Sequence, residues 1–206
     1  MGIKERRARQ KTLVRQEILD AARELLIRDG YEKLSMRKVA ERIDYSPTAI
    51  YLHFKDKQEL VFSLCQETFV RLVRELETLP EEFSDPVVQL RKGLERYIDF
   101  GLTHPDHYLP AFVLPPPDLT GHRKKSMRAD DSYGMRALGH LSDCIARGVK
   151  AKKLRKVNPD VAARAAWAAV HGITSLLIVQ REFPWGDPEE VIDALIDSVL
   201  DGLRRR

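Results

Sequence analysis

The sequence predicts an all-helical protein, an N-terminal three-helix helix-turn-helix domain followed by a larger helical domain. Three observations carry that prediction. Apolar residues recur along most of the chain at i, i+3, i+4 and i+7, the period of a helix with one buried face. Ser46-Pro47, Asp85-Pro86, Asn158-Pro159 and Asp187-Pro188 stand where such stripes begin, each pairing an N-capping side chain with a residue suited to the first helical turn. The basic excess sits at one end: residues 1–57 hold 14 Lys+Arg against 9 Asp+Glu, and the rest hold 21 against 22.

The chain opens with Lys4, Arg6, Arg7, Arg9, Lys11 and Arg15 against the single Glu5. This is the pattern of a flexible basic arm able to reach a phosphate backbone or minor groove, and equally of a solvated tail. A helix from Thr12 to Arg28 follows, its stripe Ile18, Ala21, Ala22, Leu25 and Leu26, ended by Asp29-Gly30. Ser35 caps a short helix whose face is Met36, Val39, Ala40 and Ile43. Asp44-Tyr45 makes the turn, and Ser46-Pro47 starts a second short helix that buries Ile50 and Phe54. Two helices joined by about four residues form the helix-turn-helix arrangement, whose second helix enters the DNA major groove. The basic excess at this end fits a phosphate-binding domain, where cations release counterions from the duplex.

At these residues the run VAERIDYSPTAIYLHFKDKQEL resembles the DNA-binding region of the TetR family of bacterial repressors, on Ala40, Ser46, Tyr51, Phe54, Lys57 and Leu60. Asp44 stands where that family usually has glycine at the turn, and the resemblance covers residues 12 to 64 closely. Helix geometry and resemblance together nominate Ser35, Arg37, Ser46, Pro47, Thr48, Ala49, Tyr51, Leu52, His53 and Lys57 as the DNA-binding set. The resemblance also implies a repressor released from a palindromic operator by a small-molecule effector. Residues 1–57 are then the arm and DNA-binding domain, and 58–206 the effector-binding and dimerisation domain.

The second part begins with a long helix from Lys57 to about Leu79, capped by Asp56, with Phe62, Phe69, Val73 and Leu76 inward. Pro80 ends it, and Asp85-Pro86 starts a helix with the stripe Val87, Leu90, Leu94, Tyr97, Ile98 and Gly101. A short segment from His104 to Val113 and a proline-rich connection, Leu114 to Gly121, precede a helix from about Lys124 to Lys150. Asn158-Pro159 opens a helix carrying Ala162, Ala165, Ala166, Ala169, Ile173, Leu176 and Leu177. Asp187-Pro188 opens the last, carrying Ile192, Leu195, Ile196, Val199, Leu200 and Leu203. Both are more apolar than one small domain needs, and Ala165, Ala169 and Gly172 allow close approach, so the pair reads as half of a four-helix homodimer interface. Trp167, His171 and Gly172 also resemble a Trp-His-Gly signature in one TetR subgroup.

Other function classes find little support. The pair His104 and His107 flanks a proline and has no third ligand at defined spacing, so no metal is expected. The phosphate-loop, dinucleotide, nucleophile-elbow and zinc-protease motifs are missing, and neither an enzyme nor a cofactor is expected. Cys65 and Cys144 are the only two cysteines and suit buried packing. Apolar runs are interrupted by charge short of the roughly 20 residues that span a bilayer, and the first residues lack an apolar core, so a cytoplasmic protein without a membrane partner is expected. The effector pocket is placed at Phe62, Phe69, Tyr97, Phe100, Tyr108, Phe112, Trp167 and His171. That composition favours a lipophilic or aromatic ligand, although each aromatic serves a core equally well.

Overall fold

The computed structural model describes residues 2–113 and 133–205, so the proline-rich connection and the expected start of the next helix lie outside the described residues. Among the described residues ten α-helices follow in order. They are α1 (Ile3–Lys33), α2 (Met36–Arg42), α3 (Pro47–Tyr51), α4 (Lys57–Glu77), α5 (Leu79–Glu82), α6 (Pro86–Thr103) and α7 (Pro105–Tyr108), then α8 (Tyr133–Lys150), α9 (Pro159–Val179) and α10 (Pro188–Leu203). A π-helical turn, Leu109–Val113, follows α7. Among the described residues there is no strand, and one isolated antiparallel bridge joins Leu154 to Arg204.

The expected caps form. Ser35 Oγ accepts from the Lys38 N–H at 3.2 Å and Ser46 Oγ from the Ala49 N–H at 3.2 Å. Asp56, Asp85, Asn158 and Asp187 do the same for α4, α6, α9 and α10, each occupying an N–H that has no partner inside its helix. Helix α1 departs from expectation at both ends. It begins at Ile3, so the basic segment expected as a flexible arm is wound, built from good helix formers and closed by the Gly2 N–H donating to Glu5 Oε2 at 2.9 Å. Near its end Gly30 breaks the spiral, at φ 79° and ψ 168°, before a last turn reaches Lys33.

Two compact units result, dividing inside α4. The first holds residues 2–68 together with 106–113. Ile18, Ala22 and Leu26 of α1, Val39 and Ala40 of α2, Ile50, Phe54, and Leu60 and Leu64 of α4 share its core. Ala111 belongs to the same core, with Phe112 packed against it, so a segment assigned by sequence to the second domain packs with the first. A charged cluster also ties α1 to α4: the buried Arg23 guanidinium donates to Glu67 Oε2 and, at 2.7 Å, to Asp20 Oδ1. Gln16 Nε2 donates to Glu67 Oε1 at 3.0 Å, so both carboxylate oxygens have partners.

The second unit holds residues 69–105 and 133–205. Helices α6, α8 and α9 pack on one another, and α10 packs on α6 and α9. Arg96 of α6 donates to the Glu75 carbonyl of α4 at 2.7 Å and to the Glu82 carboxylate, and Arg91 reaches Asp197 of α10. Helix α9 buries Ala163, Ala166, Val170 and Ile173, while Val161 (60 % exposed), Leu176 (48 %) and Val179 (54 %) face outward. It is long and apolar enough to cross a membrane by length and composition, which the sequence expectation did not foresee. Only 33 % of its apolar window is buried within the chain.

Gly30 sits in a backbone region that essentially only glycine occupies, and among the described residues nothing lies within 4 Å of where its Cβ would be. The cost of a side chain there is therefore conformational rather than steric. Gly30→Ala should lower stability by about 1–3 kcal/mol, read as a lower midpoint in thermal or urea unfolding.

Candidate nucleic-acid interface and effector site

The turn between α2 and α3 is closed by the Ile43 and Tyr45 N–H groups, which both donate to the Ala40 carbonyl at 3.3 and 3.0 Å. Closure needs a left-handed residue between them, and Asp44 supplies it at φ 57°, a conformation that aspartate tolerates better than most side chains. Helix α3 is then seated by Ile50 and by Phe54 beyond its end, both buried. Seating these two decides what faces out: Thr48 is exposed, Tyr51 is 54 % exposed and Leu52 75 %. Pro47 is exposed and Ala49 half-buried. This short outward face is what a major groove can accept.

The other nominated residues divide by what they already bind. Ser35 and Ser46 spend their hydroxyl oxygens as caps. Arg37 is exposed and paired with Glu41 at 2.8 Å, which raises its pKa and leaves other donors of the guanidinium outward. His53 is half-buried, and among the described residues its buried Nδ1 has no hydrogen-bond partner. Burial, then the charges of Lys11 and Arg15, lower its pKa, which favours the neutral ring. Lys57 is occupied by the protein: its ammonium donates to the Tyr31 carbonyl at 2.8 Å and lies 3.9 Å from the Tyr31 ring centre.

Sequence reasoning did not join Lys11 and Arg15 to this face. The signal was present, because Lys4, Arg7, Lys11 and Arg15 recur at i, i+3, i+7 and i+11 and share one face once the segment is helical. Arg15 fixes the end of that stripe beside α3, stacking 4.6 Å from the Phe54 ring centre and donating to Ser63 Oγ at 3.1 Å.

The eight residues nominated for the effector pocket fall in different units. Phe62, Tyr108 and Phe112 belong to the first, where the Tyr108 and Phe112 rings lie 4.8 Å apart. Phe69, Tyr97, Phe100, Trp167 and His171 belong to the second. There the Trp167 indole N–H donates to the Tyr97 hydroxyl at 3.2 Å, and that hydroxyl lies 3.1 Å from His171 Nδ1. An indole nitrogen can only donate, so the phenol oxygen is the acceptor and the phenol proton is available to Nδ1 of a neutral imidazole. Burial favours that neutral form by lowering the His171 pKa. Phe69 packs on Gly134, whose Cβ would stand 3.4 Å from the ring, and Phe100 is buried, its ring 5.5 Å from that of His104. Among the described residues no group of three or more His, Cys, Asp or Glu could hold a metal.

Residues 18–64 match the family described as bacterial regulatory proteins, tetR family, and residues 90–203 match the tetracyclin repressor-like, C-terminal domain. The chain belongs to the TetR family. Over 134 residues it is 29 % identical to the HTH-type transcriptional repressor AcnR of Corynebacterium diphtheriae, covering 64 % of this chain and 60 % of that one. Against a second relative, an HTH-type transcriptional regulator of Saccharopolyspora erythraea, 33 % identity extends over 49 % of this chain, and the match spans 42 % of the relative's length. The TetR family regulator PfmR of Thermus thermophilus is 27 % identical in structure-based alignment, with a TM-score of 0.68 and coverage of 92 % and 96 %. The regulator FadR of Bacillus subtilis, solved with stearoyl-CoA, shares the fold at a TM-score of 0.78, 15 % identity and coverage of 92 % and 99 %.

Within this TetR-family chain Lys57 has a structural partner, so its removal acts first on packing. Lys57→Ala should lower thermal stability by about 2–3 kcal/mol, the sum of a charge-assisted hydrogen bond and a cation–π contact at a half-buried site. Calorimetry of the variant reads the loss directly, and an unchanged melting midpoint would assign the ammonium to the solvent instead.

Proposed function

We propose that the chain is a homodimeric, sequence-specific DNA-binding repressor, released from a palindromic operator by a lipophilic or aromatic effector held in its second domain. The observation that carries this is the outward face of α3, with Thr48, Tyr51 and Leu52 exposed over the buried Ile50 and Phe54. The Lys4, Arg7, Lys11 and Arg15 stripe would supply phosphate affinity and the α3 face the base contacts. Residues 1–57 then carry DNA recognition and 58–206 effector binding and assembly, with the protein acting in the cytoplasm as a regulator rather than an enzyme.

Dimerisation rests on α9. Its exposed Val161, Leu176 and Val179, the half-buried Ala169, and Gly172, where a Cβ would meet nothing within 4 Å among the described residues, form an apolar face that a second copy would cover. In such a dimer two α3 helices would need to lie about 34–36 Å apart to enter successive major grooves. The Tyr97, Trp167 and His171 chain gives the effector site a polar anchor among aromatic walls. FadR, a neighbour in fold, binds stearoyl-CoA, and a long-chain acyl compound is a ligand of the lipophilic class proposed here. Because coupling is reciprocal, an effector that weakens operator binding a hundredfold, about 2.7 kcal/mol, is itself bound a hundredfold more weakly by the operator complex.

Operator binding is tested by selecting duplexes from a random pool and titrating the winner against salt. Thr48→Ala should alter the selected sequence, whereas Lys11→Ala should weaken all duplexes alike and lower the salt slope by about one unit. Failure to enrich any palindrome would end the specific-repressor reading. For assembly, Leu176→Arg places a charge on the apolar face of α9 and should give a monomer in multi-angle light scattering. A stable dimer in that variant would move the interface elsewhere.

A further inference from the structure

Beyond the DNA-binding stripe, a second basic site lies at the far end of α8 and α10. After Lys150 the chain turns back on itself: the Lys153 and Leu154 N–H groups both donate to the Gly148 carbonyl, at 3.0 and 3.1 Å. Leu154 drops onto α8 where Gly148 leaves room, its Cδ1 only 2.6 Å from the position a Cβ would take. Backbone pairing then fastens the loop to the end of α10. Leu154 and Arg204 form the antiparallel bridge, the Arg155 N–H donates to the Leu203 carbonyl at 2.9 Å, and Arg155 Nε donates to the Gly202 carbonyl at 2.6 Å. The cavity between loop and helix end measures about 960 Å³, with Val149 and Leu154 as its apolar part. Its charged lining is Lys152, Arg155, Lys156, Arg204 and Arg205 against Asp201 alone.

Cations near helix C-termini complement the helix dipole, and that explains Arg155, bonded to a terminal carbonyl, and Arg204, paired with Asp201 at 2.8 Å. It leaves three charges over. Among the described residues the side chains of Lys152, Lys156 and Arg205 have no hydrogen bond or ion pair, and they converge on one concave, backbone-braced cavity. Lys152 is moreover held in a left-handed conformation, at φ 59°. Like charges gathered without counter-charge repel one another, and a multivalent anion relieves that repulsion.

We infer that this cavity binds a small anion carrying two or more phosphates, with a ring or other apolar group against Val149 and Leu154. Its volume is at the upper end of the range for small-molecule sites, and its concave shape suits such a ligand better than the convex backbone of a duplex. The site lies wholly within the second unit and does not depend on the operator reading.

The test is calorimetric titration of the full chain with sodium tripolyphosphate and, separately, with ATP, at low salt and without divalent cations. The basic N-terminal stripe is a competing site, so the titrations are repeated with Lys11→Gln and with the pair Lys152→Gly and Lys156→Gln. Glycine at 152 accepts the left-handed backbone, so the loop keeps its shape while the charge goes. The paired variant should melt as the parent does, bind duplex DNA as the parent does, and bind both probes about a hundredfold more weakly, about tenfold for each ammonium removed. Lys11→Gln should leave probe binding within about twofold of the parent. Tighter binding of ATP than of tripolyphosphate supports the apolar subsite, and equal binding removes that part of the inference. Probe binding unchanged in the paired variant, or no binding by the parent at millimolar probe, overturns the site. Loss of duplex binding in the paired variant would assign these charges to nucleic acid instead.

Discussion

A single hydrogen-bonded helix belongs to two hydrophobic cores, and that constraint governs the rest of the molecule. Leu60, Val61 and Leu64 of α4 are buried in the first unit, and Leu72, Val73 and Leu76 of the same helix are buried in the second. A helix of 21 residues cannot bend sharply without breaking ladder bonds, which takes a proline, a bulge or an inserted group. Sequence provides no proline inside α4. The polar groups on it act in the same sense. Glu67 anchors its first half through Arg23 and Gln16, and the Glu75 carbonyl receives Arg96 in the second. Each unit therefore holds its own stretch of α4 by both apolar and polar contacts.

What was legible in the sequence follows from how local each signal is. Caps at Ser35, Ser46, Asn158 and Asp187 need only residues two or three positions away, and each formed where its pattern placed it. The apolar stripes gave the helices for the same reason. The basic N-terminus reads as a flexible arm because charge dominates its appearance, yet Arg, Lys, Gln and Glu are all good helix formers and the segment is wound. Sequence order alone puts residues 106–113 in the second domain, and only packing across more than 40 residues, as in the Cys65 thiol reaching the Pro110 carbonyl, groups them with the first unit. The site was legible in the same measure. The face of α3 followed from Ile50 and Phe54, whereas the partner of Lys57 is 26 residues away and Tyr97 lies 74 residues from His171.

Helix α9 illustrates how one composition can answer two different demands. By hydropathy alone it could be a membrane segment, yet Arg164 interrupts it, and its buried Thr174 satisfies its hydroxyl on the Val170 carbonyl at 2.7 Å. One face is spent on α6 and α8, and Trp167, partly exposed, still reaches inward to Tyr97. A helix apolar on both sides is expected where the second side is covered by another helix. The Trp167 indole thus serves the domain interior through its N–H while part of the side chain stays exposed.

The wound N-terminal segment has a thermodynamic consequence of its own. Fixing the backbone of a residue costs roughly 1–2 kcal/mol, and a disordered tail meets that cost only at the moment it is captured. In residues 3–11 the cost falls in the free protein, so under the proposed reading their cations would approach a polyanion already aligned. Capture of such a segment carries little of the heat-capacity change that marks folding on binding. The affinity of such a segment would then respond to helix propensity along it, because Gln10→Gly would return the ordering cost to the encounter.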